Sequence, residues 1–196
     1  MRLKKLFFII ILYLINTNTI HALEPDVFVQ STVNRASKLL SENISKEEKI
    51  KQLKLIAKDT VDIKGIGFYS LGAARKNLGD SDKKKYSNLF EKYFLISFSS
   101  RLAEYTNPEI DVYDKEVLNE NYTIVKSVLK ALDDRPEVKI NWRIYTKDKE
   151  KPLIRDLIIE GLSLARTQKE EFSSVLGSND GDINALFKTL EEFSNN

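Results

Sequence analysis

Val138-Lys-Ile-Asn-Trp-Arg-Ile-Tyr145 alternates apolar and polar side chains, putting Val138, Ile140, Trp142 and Ile144 on one face and Lys139, Asn141, Arg143 and Tyr145 on the other. A period of two marks a half-buried strand, because successive side chains point to opposite sides of a sheet. The reading extends outward from there. Ile110 to Leu118 and Tyr122 to Leu129 precede it as strands. Leu153 to Glu160 follows, apolar on both faces and so expected in the middle of the sheet. Asp133-Asp134-Arg135-Pro136 and Thr146 to Pro152 are turn material. Turns this short join neighbours, so four strands are expected to form one antiparallel sheet.

Helical patterns flank the strands. Pro25 opens the first, with Val29, Val33, Ala36 and Leu40 on one stripe. Ser45 and Glu48 make a capping box for a second, with Ile50, Leu53 and Ala57 on its apolar face. A short element, Val61 to Lys76, carries Gly65, Gly67 and Gly72. The longest helix is expected from Ser81 to Tyr105. Its apolar set (Tyr86, Leu89, Phe90, Tyr93, Phe94, Phe98, Leu102, Tyr105) is rich in rings. Beyond the strands, Gly161 to Leu176 and a helix capped by Asp182 close the chain, the latter with Ile183, Leu186, Leu190 and Phe193 inward. Helices, strands and helices in that order read as one α+β domain, residues 23–196, with a twisted four-stranded sheet on a helical layer.

The first 22 residues read differently. Arg2, Lys4 and Lys5 precede an unbroken apolar run of ten, Leu6 to Ile15, and a polar stretch leads to the small residue Ala22. That order is a secretory signal, cut after Ala22. Ten apolar residues are too few to span a hydrocarbon core about 30 Å thick, which takes roughly 20. Removing residues 1–22 takes away three basic and no acidic side chains, leaving 28 against 29, a charge of −1. A near-neutral chain has no bulk attraction for nucleic acid.

The cut also removes His21, the only histidine, and the sequence has no cysteine. Ser-His-Asp and Cys-His nucleophile pairs, histidine bases and the usual His/Cys zinc sites are therefore excluded. Carboxylates remain. Asp156 and Glu160 share one face of an extended strand about 13 Å apart, beyond the separation of a catalytic carboxylate pair. A structural role is expected for both, with Ser163 capping the helix that follows. Asp133-Asp134 reads as a solvated turn and Lys83-Lys84-Lys85 as a solvated face. Gly65-Ile-Gly67 lacks the context and third glycine of a nucleotide loop.

Asp156-Leu-Ile-Ile-Glu-Gly-Leu-Ser-Leu-Ala165, followed by Phe172, resembles the signature of the MlaC family, the periplasmic phospholipid-binding proteins also called toluene-tolerance auxiliary proteins. Val61-Asp62-Ile63 and Leu71-Gly72 resemble an upstream element of the same family, and the likeness runs in order from about residue 25 to 193. The resemblance implies a soluble shuttle between an outer-membrane lipoprotein complex and an inner-membrane MCE-domain ABC transporter, maintaining outer-membrane lipid asymmetry. It implies a monomer with no cofactor, no metal and no catalysis, whose cargo is a phospholipid held by its tails between sheet and helices. Relatives in hopanoid pathways leave the lipid class open.

On this reading the pocket walls are Phe68, Leu71, Phe90, Phe94, Phe98 and Leu102 from the helical side. Val138, Ile140, Trp142, Ile144 and Ile158 face them from the sheet. Asp62, Gly72, Asp156, Glu160, Gly161 and Ser163 are expected to be structural. Periodicity alone reads the same apolar residues as ordinary core. Two other readings stand beside the carrier: an enzyme on a cystatin-like or NTF2-like scaffold, whose cone-shaped cavity would be similar, and an adaptor with a filled interior.

Overall fold

The computed structural model describes residues 22–131 and 136–195. The apolar run Leu6 to Ile15 and the Asp133-Asp134 turn lie outside them. Strands β1 (Ile110–Asn119), β2 (Tyr122–Leu129), β3 (Val138–Tyr145), β4 (Leu153–Ile159) and β5 (Leu162–Ser163) pair antiparallel in sequence order. The sheet thus has five strands rather than four. The extra strand hides in the family signature. Glu160 and Gly161 sit at φ 48° and 85°. Those are the two left-handed positions that a tight type I′ hairpin demands. A glutamate adopts such a φ only when held there. The Glu160 amide donates to the Lys139 carbonyl at 3.1 Å, and Glu160 Oε1 accepts from the Lys139 amide at 2.5 Å. The turn delays the closing helix, so α5 spans Leu164–Gly177 instead of starting at Gly161.

β4 is not central. Only the two residues of β5 pair outside it at one end, and a single parallel bridge from Val61 to Ile154 meets it at the other. It is apolar on both faces because helices cover it, not because strands flank it. β4 also carries a bulge. Arg143 faces Asp156 whereas Ile144 faces Ile154, leaving Arg155 as the extra residue. Beyond a bulge the alternation changes phase. Leu157 therefore opposes Trp142, and Ile158 opposes Asn141 on the other face.

The remaining helices are α1 (Pro25–Ser41), α2 (Lys46–Thr60), α3 (Ile63–Ser70), α4 (Asp80–Leu102) and α6 (Ile183–Asn195). α4 ends at Leu102, three residues short of the expected Tyr105. The Ser45 hydroxyl accepts from the Glu48 amide, but the Glu48 carboxylate accepts from Gln52 instead of closing the box. α1 lies on β1 and β2. There the Gln30 amide nitrogen donates to the Ile110 carbonyl and its oxygen accepts from the Val112 amide, standing in for a strand partner beside a second bulge.

The core fills the space between the helices, α1 and α3 as well as α4, α5 and α6, and the Trp142 face of the sheet. Its centre is aromatic. Tyr86 and Phe90 stack at 5.8 Å, and Phe172 from α5 meets both edge-on. Burial pushes the Tyr86 hydroxyl well above the ordinary tyrosine range, and it donates to the Gly67 carbonyl at 2.8 Å. Gly67 itself must be small, because a Cβ there would lie 2.7 Å from the Phe90 ring. Gly67→Ala should therefore lower stability by about 1–3 kcal/mol. Urea denaturation checks this, and an unchanged midpoint would contradict it.

Candidate ligand-binding cavity

The four-residue spacing Tyr86, Phe90, Phe94, Phe98 forms a ridge along α4, because residues four apart stack on one helix face. The ridge begins deep in the core, where Tyr86 and Phe90 are each 1 % exposed. It continues through Phe94 and Phe98, which stack on each other at 5.3 Å. At that end the side chains no longer fill the interior. A cavity of about 170 Å³ opens between α3, α4, α5, β3 and β4.

Its floor is the sheet. Trp142 contributes its indole, fixed by donation from Nε1 to the Ser127 hydroxyl at 2.8 Å. Ile154 and Leu157 extend the floor along β4, and Leu164 and Ala165 form the α5 wall. The polar residues Ser97, Arg101, Thr167, Gln168 and Glu171 also border it. Tyr93 bridges the two helices by donating to Gln168 Oε1 at 2.9 Å. Burial raises the Tyr93 pKa, and the bond to Gln168 opposes this only in part. Buried Tyr86 and half-buried Tyr93 are therefore neutral donors at neutral pH, not bases.

Asp156 positions the α5 wall. It is 4 % exposed. It accepts from the Ser163 hydroxyl at 2.6 Å and from the Ala165 amide at 3.0 Å. Ser163 in turn caps α5 by accepting from the Arg166 amide at 3.1 Å. Asp62 does the same for α3. It accepts from the Gly65 amide at 2.8 Å and pairs at 2.6 Å with Arg155 from the β4 bulge. Arg155 also donates to the Tyr122 hydroxyl at 2.6 Å and lies 4.2 Å from the Tyr145 ring centre. Burial alone would lower the Arg155 pKa, and the Asp62 carboxylate and the Tyr122 hydroxyl together more than offset that. Gly72, at φ 56°, turns the chain beyond α3 against the Lys169 side chain of α5.

Of the expected wall residues, Phe90, Phe94, Phe98 and Trp142 line this cavity together. The others lie elsewhere. Ile140 and Ile144 flank Trp142 as filled core, and Leu71 is likewise sealed at 2 % exposure. Phe68 packs toward Tyr86. Val138 pairs with Leu129 at the far end of the sheet. Leu102 joins a separate cluster with Leu39, Leu40 and Leu53. A four-residue ridge drifts about 40° per step round a helix, so it has turned away by that point. Ile158 falls on the opposite face because of the bulge. Leu157 takes its place, and no periodicity in the sequence could reveal the switch. Leu164 was within reach, since it sits in the signature segment itself.

Among the described residues, no group of three His, Cys, Asp or Glu could hold a metal ion. No described helix is long and apolar enough to cross a membrane. A curved antiparallel sheet with helices closing an aromatic-walled apolar cavity defines a module that can enclose an apolar ligand. The chain belongs to the MlaC family, whose model, described as MlaC protein, matches residues 30–192. A solved structure similar in fold is the phospholipid-binding protein from Ralstonia solanacearum in complex with a phospholipid. The two share 15% identity and a TM-score of 0.73 over 88% of this chain and 97% of that one. No curated protein matches the sequence.

Asp156→Ala removes both bonds that tie α5 to β4. It should lower stability by about 3 kcal/mol, since hydrogen bonds to a charged group contribute about 1.5–3 kcal/mol each and partly overlap here. Ser163→Ala, which removes a helix cap, should lower it by about 1 kcal/mol. Urea melts of the two variants check the order; equal stabilities would remove Asp156 from the role given to it.

Proposed function

We propose that this protein is a periplasmic carrier of phospholipid, sheltering acyl tails between α4, α5 and the sheet. It would deliver its cargo between an outer-membrane lipoprotein complex and an inner-membrane MCE-domain ABC transporter, as a monomer exported by a cleaved signal. Such traffic would serve outer-membrane lipid asymmetry. The one observation that carries this reading is the cavity that begins where the aromatic ridge of α4 leaves the core. Family membership and the phospholipid-bound fold relative support it. In this view the cavity is of the kind that cystatin-like and NTF2-like sheets enclose, used for binding and not for turnover.

Energetics explain why a carrier is needed. Each methylene removed from water is worth about 0.8 kcal/mol, so two tails of about 16 carbons oppose aqueous transit by some 25 kcal/mol. Cavity size sets a further condition. An engineered cavity of about 150 Å³ accepts a benzene ring, so 170 Å³ admits roughly a six-carbon length. Two full tails require α4 and α5 to move apart. They meet through side chains, by the Tyr93–Gln168 bond and ring contacts of Phe172, and no ion pair joins them among the described residues. Opening confined to the Phe94–Phe98 end would break the Tyr93–Gln168 bond and leave the Phe172 contacts with Tyr86 and Phe90 at the core's centre in place.

Native mass spectrometry of protein purified without detergent should reveal a bound mass of phospholipid size. Phe94→Asp, which places a charge in the half-buried middle of the ridge, should reduce the loaded fraction severalfold while the fold persists. A folded Phe94→Asp variant with unchanged lipid content would refute the assigned wall. Absence of any lipid on the wild type, even after incubation with phospholipid vesicles, would refute carriage itself.

A further inference from the structure

A second cavity, of about 330 Å³, lies on the other side of β4. It shares Ile66, Asp156 and Ala165 with the apolar cavity as a common wall. Its character is different. Arg143, Arg155, Tyr122 and Asn119 border it, on the sheet face opposite Trp142.

The charges around it are unevenly satisfied. Arg155 is committed to Asp62 and Tyr122. Both Asp156 oxygens accept from α5 and its cap. Arg143 stands directly opposite Asp156 across the β3–β4 pair, yet the two form no ion pair. Its Nε is sealed from solvent and has no hydrogen-bond acceptor among the described residues. A guanidinium is charged at every accessible pH, and leaving one of its N–H groups buried without an acceptor is costly.

Further donors converge. The Tyr122 oxygen accepts from Arg155, so its own proton is free to be given elsewhere. The Asn119 oxygen accepts from the Asn121 amide, which leaves its NH₂ group to donate. Three strands thus bring a planar guanidinium fork, a hydroxyl and an amide to one hollow. The fork is the geometry that matches two oxygens of a phosphate.

We infer that the Arg143 cavity is an oxyanion site that takes a phosphate group. The phosphate is either the phosphodiester of the carried lipid or free inorganic phosphate. The lipid source rests on the carrier reading; the free source does not. In the lipid case the site recognises the phosphate common to all phospholipids, so it separates phospholipids from neutral lipids without choosing between headgroups.

The test uses the full chain, Arg143→Gln and Arg143→Lys, with folding monitored by circular dichroism. Dioctanoylphosphatidylcholine and dioctanoylglycerol, which share tails but not phosphate, are titrated alongside inorganic phosphate. If the lipid supplies the phosphate, the wild type should prefer the phospholipid by about tenfold or more, the worth of a charged hydrogen bond. Arg143→Gln should lose that preference while its affinity for the diacylglycerol is unchanged. If the phosphate is free, saturable phosphate binding should appear in the wild type and vanish in Arg143→Gln. Arg143→Lys, which keeps the charge but not the fork, should fall between and serves if the Gln variant fails to fold. Should neither lipid bind the wild type, carriage fails and the phosphate titration alone decides. A wild type with neither phosphate preference nor phosphate binding, or an Arg143→Gln variant that keeps what the wild type shows, overturns the site.

Discussion

The buried carboxylate of Asp156 ties α5 to the sheet, and the cavity exists only because α5 is held there. One oxygen accepts from the Ser163 hydroxyl and the other from the Ala165 amide. The residues between Asp156 and Ala165 are then closely constrained. The chain reverses at Glu160-Gly161, pairs for two residues as β5, and enters the helix with Ser163 as its cap. A buried acid would be a liability if unmatched, because desolvating a carboxylate is expensive. Here its donors come from the element it positions, so its satisfaction and the placement of the wall are one arrangement.

The wall so placed faces an aromatic helix that is only partly used up by packing. Tyr86 and Phe90 are consumed by the core, where Phe172 meets both rings. Phe94 and Phe98 extend the same ridge past the last buried ring. The helix therefore serves two purposes along one face, anchoring the fold at one end and offering apolar lining at the other. The interior is neither solid, as an adaptor would require, nor roomy enough for two tails as it stands. Under the carrier proposal, opening would be confined to the Phe94–Phe98 end, since Phe172 joins α5 to Tyr86 and Phe90 of α4 in the core and Asp156 joins it to β4.

Much of this was legible in the sequence, and the failures have physical causes. Strict alternation over Val138 to Tyr145 places β3 and its buried face correctly, because a strand exposed on one side has no freedom in its pattern. A structural role for Asp156 follows from its separation from Glu160, too great for a catalytic pair. Ser163 reads as a helix cap from its place at a strand–helix boundary, and for Asp62 only the family resemblance suggests a structural role. β4 misled twice. Its apolar faces suggested a central strand, whereas helices cover it, and composition cannot distinguish one cover from another. Its bulge at Arg155 moved Leu157 inward and Ile158 outward, a change that depends on a pairing partner far away in the chain. The fifth strand escaped because two residues are too few to show a period. Core and cavity wall could not be separated at all: Ile144 and Trp142 look alike in sequence, and only the packing around them decides which one borders space.

Trp142 is the only tryptophan in the chain and it borders the cavity, so its fluorescence reports on whatever enters. The decisive measurement is titration with phospholipid brominated midway along its acyl chains, compared with the same lipid unbrominated. Bromine quenches only rings it nearly touches. Tails seated between α4, α5 and the sheet predict strong quenching by the brominated lipid and little by its counterpart. Lipid that binds with the brominated tails leaving Trp142 emission unchanged would contradict the account.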